Sequence, residues 1–201
     1  VMFFAAFFGA LFYARVLAVP WIGGGGTKLL NHVFLWSNFN PGWPSNGPAH
    51  LGPRANGTFE VMAPFGIPAL NTLILLTSGL TVTIAHHALR ANNRTVLKIF
   101  LALTFLLGFT FVSLQVHEYG EAYREFGLRL STGIYGSTFF MLTGFHGLHV
   151  TIGAIMLVVI WLRTLRGHFT PKQHFAFAAV SWYWHFVDIV WLGLFIFVYW
   201  I

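Results

Sequence analysis

Ser181-Trp182-Tyr183-Trp184-His185-Phe186-Val187-Asp188-Ile189-Val190-Trp191 lies inside an apolar run reaching from about residue 175 to residue 201. A run of this length crosses a bilayer as one helix, because the hydrocarbon core takes roughly 20 apolar residues. It nevertheless carries an imidazole and a carboxylate, His185 and Asp188, three positions apart. That spacing puts both on one helical face. Charge in hydrocarbon is costly, so the pair is expected to face protein or trapped water rather than acyl chains. The rest of the chain must supply that shelter.

Composition places the whole chain in a membrane. Of its 201 residues 57% are hydrophobic and 8% charged, against about 25% charged in soluble domains, and the mean hydropathy is +0.71. Eleven Lys and Arg against five Asp and Glu give a net charge of +6. In a polytopic protein such an excess marks cytoplasmic loops before it marks a nucleic-acid partner. Without cysteine there is neither a disulfide framework nor a thiolate metal site. The chain opens on Val1 without a basic leader region, so the expectation is that a further N-terminal part precedes it rather than a signal peptide.

Working outward from the C-terminal run, the expected architecture is all-α: one polytopic bundle over 1–201, with helices at about 1–19, 68–91, 95–116, 133–162 and 175–201. Pro20 and the glycines 23–26 end the first helix. Residues 20–66 carry Pro41, Pro44, Pro48 and Pro53 among Trp21, Trp36 and Trp43, which excludes a long helix and suits a surface-lying loop. Pro68 starts the next helix, followed by Asn71, Thr72, Thr77, Ser78, Gly79, Thr81 and Thr83, a small and hydroxylic set that permits close helix contact. Residues 117–121, His117-Glu118-Tyr119-Gly120-Glu121, are expected to form an acidic loop. Thr143, Gly147 and Thr151 form a stripe of small residues expected to pack tightly. Loops 90–98 and 163–172 hold the basic residues Arg90, Arg94, Lys98, Arg163, Arg166 and Lys172. The positive-inside rule puts both in the cytoplasm, the long loop 20–66 in the periplasm and the C-terminus outside.

Ten histidines invite a metal reading. His146 and His149 share a face, but a metal centre usually needs three or four convergent ligands. His86 and His87 diverge by about 100° on a helix. His185 and Asp188 suit either a proton relay or a structural pair. Arg163 and Arg166 sit where basic groups bind lipid phosphates. Trp182, Trp184 and Trp191 are too deep for an interfacial belt and are expected to pack the bundle. The glycines 23–26 lack the Lys-Ser/Thr that a phosphate loop requires.

Several well-spaced motifs carry a family resemblance. They are Val1-Met2-Phe3-Phe4, Thr77-Ser78-Gly79, Ala85-His86-His87, Gln115 with Glu118-Tyr119, Gly133-Ile134-Tyr135-Gly136-Ser137-Thr138, Thr143-Gly144-Phe145-His146-Gly147 with His149, His168-Phe169-Thr170, and Trp182-Tyr183-Trp184-His185-Phe186-Val187-Asp188. Together they resemble subunit III of bacterial aa3-type cytochrome c oxidases over nearly the whole chain. The resemblance implies a seven-helix fold of which these are the last five, and a subunit that itself binds neither haem nor copper. It implies partners, too. Subunit I holds haem a, haem a3 and a copper, subunit II holds the dinuclear copper, subunit IV is possible, and cytochrome c acts indirectly. It further implies aerobic respiration in an inner membrane, phospholipids bound in a cleft with Arg163 matching a lipid-binding arginine, and support of proton uptake. No catalytic, cofactor-binding or metal residue is implied, and His146, His149, His185, Asp188 and Glu118 stand as buried polar candidates with a proton-related role. Ala178 replaces a family glutamate, so no role of that acid carries over. The rival readings are the same subunit of a quinol oxidase, a histidine-based di-iron membrane enzyme and a proton-coupled transporter.

Overall fold

The computed structural model describes residues 1–18, 64–128, 130 and 134–200. Loop 20–66 therefore lies almost wholly outside the described residues. Among these, every regular element is helical. α1 spans Met2–Phe12 and continues as a π-helical stretch, Tyr13–Ala18. α2 spans Ile67–Arg90, α3 Arg94–Arg124, α4 Ile134–Leu165 and α5 Phe175–Leu194, the last continuing as a π-helical stretch, Phe195–Trp200. Four of these, α2, α3, α4 and α5 with its continuation, are long and apolar enough to cross a membrane, while Met2–Arg15 is a shorter apolar helix.

Two helix ends follow sequence expectation and one does not. Between α2 and α3 the chain reverses at Asn92, held at φ 57°, a left-handed conformation that asparagine tolerates better than most residues. There Asn93 N–H donates to Ala88 O at 2.8 Å, and Val96 N–H donates to Asn93 Oδ1 at 3.3 Å, so the asparagine closes one helix and caps the next. α4 ends at Gly167, φ 75°, with His168 N–H on Arg163 O at 3.1 Å. The stretch 117–121, expected as a loop, is instead the last part of α3, which runs on to Arg124 and stops at Gly127, φ 64°. The apolar pattern weakens at residue 117, but Glu121 and Ala122 favour helix and the single Gly120 is tolerated. Hydropathy marked where the apolar run ends, not where the helix ends.

The chain divides into two compact units. One comprises Val1–Met62 and Gly120–Gly144. Here Phe4, Leu11 and Ala14 are the buried positions of the first helix, and Phe140 meets Tyr123 at 5.2 Å and Phe139 edge-on at 5.3 Å. The other comprises Ala63–Tyr119 and Phe145–Ile201. Within it α2 and α5 pack along one another, and the final turns, Phe195–Trp200, reach back to α2. Apart from Thr143, the geometry that follows belongs to this second unit.

Candidate functional site

The seam between α2 and α5 is held by polar groups. Trp184 donates its indole N–H to Ser78 Oγ, and Trp191 donates its own to Thr72 Oγ1, both at 2.9 Å. Both hydroxyls give their protons to carbonyls of their own helix, Leu75 O at 2.7 Å and Pro68 O at 2.8 Å. Each oxygen is thereby left as an acceptor aimed at the indole. Beside these bonds, Thr83 Oγ1 and His185 Nε2 are 3.3 Å apart, and His185 Nδ1 lies 3.8 Å from Asp188 Oδ2. Gly79 makes room for the carboxylate, since a Cβ there would stand 2.5 Å from Asp188 Oδ2. Asp188 is buried but the His185 side chain is 39% exposed. Among the described residues, the pair expected to be enclosed is thus enclosed only on its acidic side.

Trp184 is the centre of the packing. Its indole is fully buried between two glycines. A Cβ at Gly108 of α3 would lie 2.6 Å from Cη2, and one at Gly153 of α4 would lie 2.9 Å from Cε3. The expected stripe of Thr143, Gly147 and Thr151 does not do this work, because a Cβ at Gly147 would meet nothing within 4 Å. Thr143 and Thr151 return their hydroxyls to carbonyls of their own helix. Tight packing on α4 occurs at Gly153, almost two turns on. Trp182, expected in the core with Trp184 and Trp191, is 73% exposed. Two residues apart on a helix means about 200° of rotation, so Trp182 and Trp184 cannot both face inward. A further joint ties α2 to α3 through Thr81 Oγ1 and Thr104 Oγ1 at 2.8 Å. α3 meets α4 where Trp161 donates to Lys98 O at 3.1 Å.

The remaining sequence candidates are dispersed. His146 is fully buried, stacked on Trp191 with ring centres 5.2 Å apart and set edge-on to Phe111 at 5.8 Å. His149 turns away, with Nδ1 2.7 Å from Phe145 O of its own helix and its ring parallel to Tyr183. His86 packs on His174 and Phe177, while His87 is exposed, the divergence their adjacency requires. Among the described residues no three His, Asp or Glu side chains converge as a metal site. Glu118 is fully buried and lies with Gln115 against Tyr199 of the final turns. The drop in hydropathy at residue 117 hides this cluster in the sequence, where only the i, i+3 spacing of Gln115 and Glu118 points to it. Arg163 is exposed with its guanidinium 5.0 Å from the centre of the buried Phe169 ring, and Arg166 is exposed one turn away.

The two indole bonds, the Thr81–Thr104 bond and the Trp161 bond each join one helix of this chain to another. Comparison with known proteins then identifies the family. The family description "Cytochrome c oxidase subunit III" matches residues 29–201. The chain belongs to the cytochrome c oxidase subunit III family. A relative from Pongo abelii named "Cytochrome c oxidase subunit 3" is 45% identical over 200 residues, which is 100% of this chain and 64% of that protein. Relatives of the same name from Petromyzon marinus and Homo sapiens are 44% and 43% identical with the same coverage. The chain therefore spans just under two thirds of the length of these family members.

Proposed function

We propose that this chain is a non-catalytic, supporting subunit of a respiratory cytochrome c oxidase, acting as one transmembrane domain. Membership of the subunit III family carries this reading. In it, oxygen reduction and electron transfer take place at haem a, haem a3 and copper in partner subunits I and II. This chain braces subunit I and holds phospholipid. Cytochrome c, in the names of the relatives, favours it over a quinol as the complex's electron donor.

Two features support a mechanical role. The tryptophans, threonines and glycines of the α2–α5 seam are committed to joining helices. His146 and His149 are occupied by ring packing and a backbone contact. Lipid binding is assigned to Arg163, which the Phe169 ring holds at the helix end, and to Arg166 one turn on. The end of the bundle bearing Arg90, Arg94, Lys98, Arg163, Arg166 and Lys172 faces the cytoplasm, in an inner membrane. In this reading the chain also aids proton uptake by the complex, with the polar residues His146, His149, His185, Asp188 and Glu118 as the candidates for that support. The test is the complex purified with and without this subunit. Faster inactivation during turnover and slower proton uptake on its removal are expected, and unchanged turnover, pumping and inactivation would refute the role.

A further inference from the structure

Two enclosed amides of the second unit lack partners. Asn71 of α2 and Gln115 of α3 are at most 4% exposed. Among the described residues neither the nitrogen nor the oxygen of either amide has a hydrogen-bond partner. Asn71 lies 19 residues from Arg90 along α2, and Gln115 lies 21 residues from Arg94 along α3. At 1.5 Å per residue both stand roughly 30 Å from the basic end of the bundle, on nearly one level. Trp191 links the two helices there. Its indole is bonded to Thr72, next to Asn71, and set edge-on at 4.7 Å to Phe111, one turn before Gln115.

Glu118, fully buried and nearly one turn beyond Gln115, lies with it against Tyr199. Unusual winding brings the phenol inward. Phe195–Trp200 is π-helical, and in that winding residues five apart share a face, so Tyr199 follows the buried Leu194 into the bundle. An α-helix would turn it about 140° away. π-helical turns are frequent at functional sites. Gln115 is near enough to Tyr199 to act on its hydroxyl, yet makes no direct hydrogen bond with it. That is the spacing a bridging molecule spans.

The unmet groups select the molecule. Each amide leaves both a donor and an acceptor unsatisfied, and burying them dry is costly. A bare cation would serve the oxygens and leave the N–H groups, and an anion would do the reverse. Water serves both, and an internal water is held by about two to four polar partners. We propose that this level of the bundle holds an internal water-binding site, centred on Gln115, Glu118 and Tyr199 and extending to Asn71. Glu118 then sits in a wet pocket and not in a dry core.

The test is X-ray radiolytic labelling of the intact complex, read by mass spectrometry. Hydroxyl radicals made from bound water oxidise the side chains it touches, buried ones included. Tyr135 is the matched control, a tyrosine as buried as Tyr199. Tyr199 is expected to be oxidised at least about threefold faster than Tyr135, as for one ring with a water partner and one without. Q115L keeps the bulk of the side chain and removes its amide, and it should bring Tyr199 down to the rate of Tyr135. Equal rates at the two tyrosines in the native complex would overturn the site, whether or not Q115L assembles. An unchanged Tyr199 rate in Q115L would overturn it too. Stoichiometric sodium or calcium, kept by the native complex and lost from Q115L, would put a cation there and equally refute the proposal.

Discussion

Replacing Gly108 with alanine tests the packing at the heart of the second unit. The new methyl would sit 2.6 Å from Trp184 Cη2 and 3.1 Å from Cζ2, with Ala154 Cβ 3.5 Å away on another side. Its natural escape is movement of the indole. That is blocked by Gly153 behind the ring and by the bond to Ser78. Overpacking of a filled core costs about 1–3 kcal/mol, which is roughly a 5- to 150-fold change in the folding equilibrium. The clashing atoms belong to the part of the indole that phenylalanine lacks. W184F alone should destabilise by leaving a void, yet G108A placed on W184F should cost at least about 1 kcal/mol less than on the native chain, as expected for groups in direct contact. G153A should be rescued less, because its methyl would also meet Tyr183 Cε1 at 3.2 Å. The assay is the midpoint of SDS-induced unfolding, in mixed micelles, of the native chain and of the five purified variants: G108A, W184F, G153A and the two doubles that pair each glycine change with W184F. Strict additivity of G108A and W184F, or no effect of G108A, would refute the wedge.

Smaller effects are expected elsewhere. T104V removes one partner of the Thr81–Thr104 bond and should cost about 0.6 kcal/mol, the mean for such bonds between membrane helices. A loss above about 2 kcal/mol by the same unfolding assay would contradict that. N92A should destabilise by about 1–2 kcal/mol through its left-handed backbone while N92G should not, and equal melting of the two variants would show the turn to be relaxed. R163A should lose about 0.5–1 kcal/mol of cation–π contact with Phe169. On the proposed lipid role it should also lower the phospholipid phosphorus retained per complex, so unchanged phosphorus would remove Arg163 from that role.

The number and order of helices were legible from hydropathy because lipid leaves a spanning segment little choice but to close its own hydrogen bonds. The two basic turns were legible too, from the Arg and Lys that break the apolar runs, while the left-handed Asn92 and Gly167 within them emerge only with the backbone. The acidic turn was not, since a helix leaving the apolar zone continues while its propensity allows, and Glu118 consequently sits buried against Tyr199 rather than in a loop. The site was half readable. The spacing of His185 and Asp188 correctly put them on one face, but whether that face is covered depends on which helix lies alongside. Trp182 shows the same limit: its direction was wrong, for direction is set by two residues' rotation and not by hydropathy. Gly108 and Gly153 each interrupt an apolar run without a stripe around them, and their purpose emerges only with the indole that fills them.

The two indole bonds also act as a vernier. Trp184 and Trp191 are seven residues apart on α5, and their acceptors Ser78 and Thr72 are six apart on the antiparallel α2, rises of about 10.5 and 9 Å. Sliding one helix past the other by a single turn would unlatch both rungs together. Sliding of α5 along α2 is thereby opposed at two levels of the seam at once.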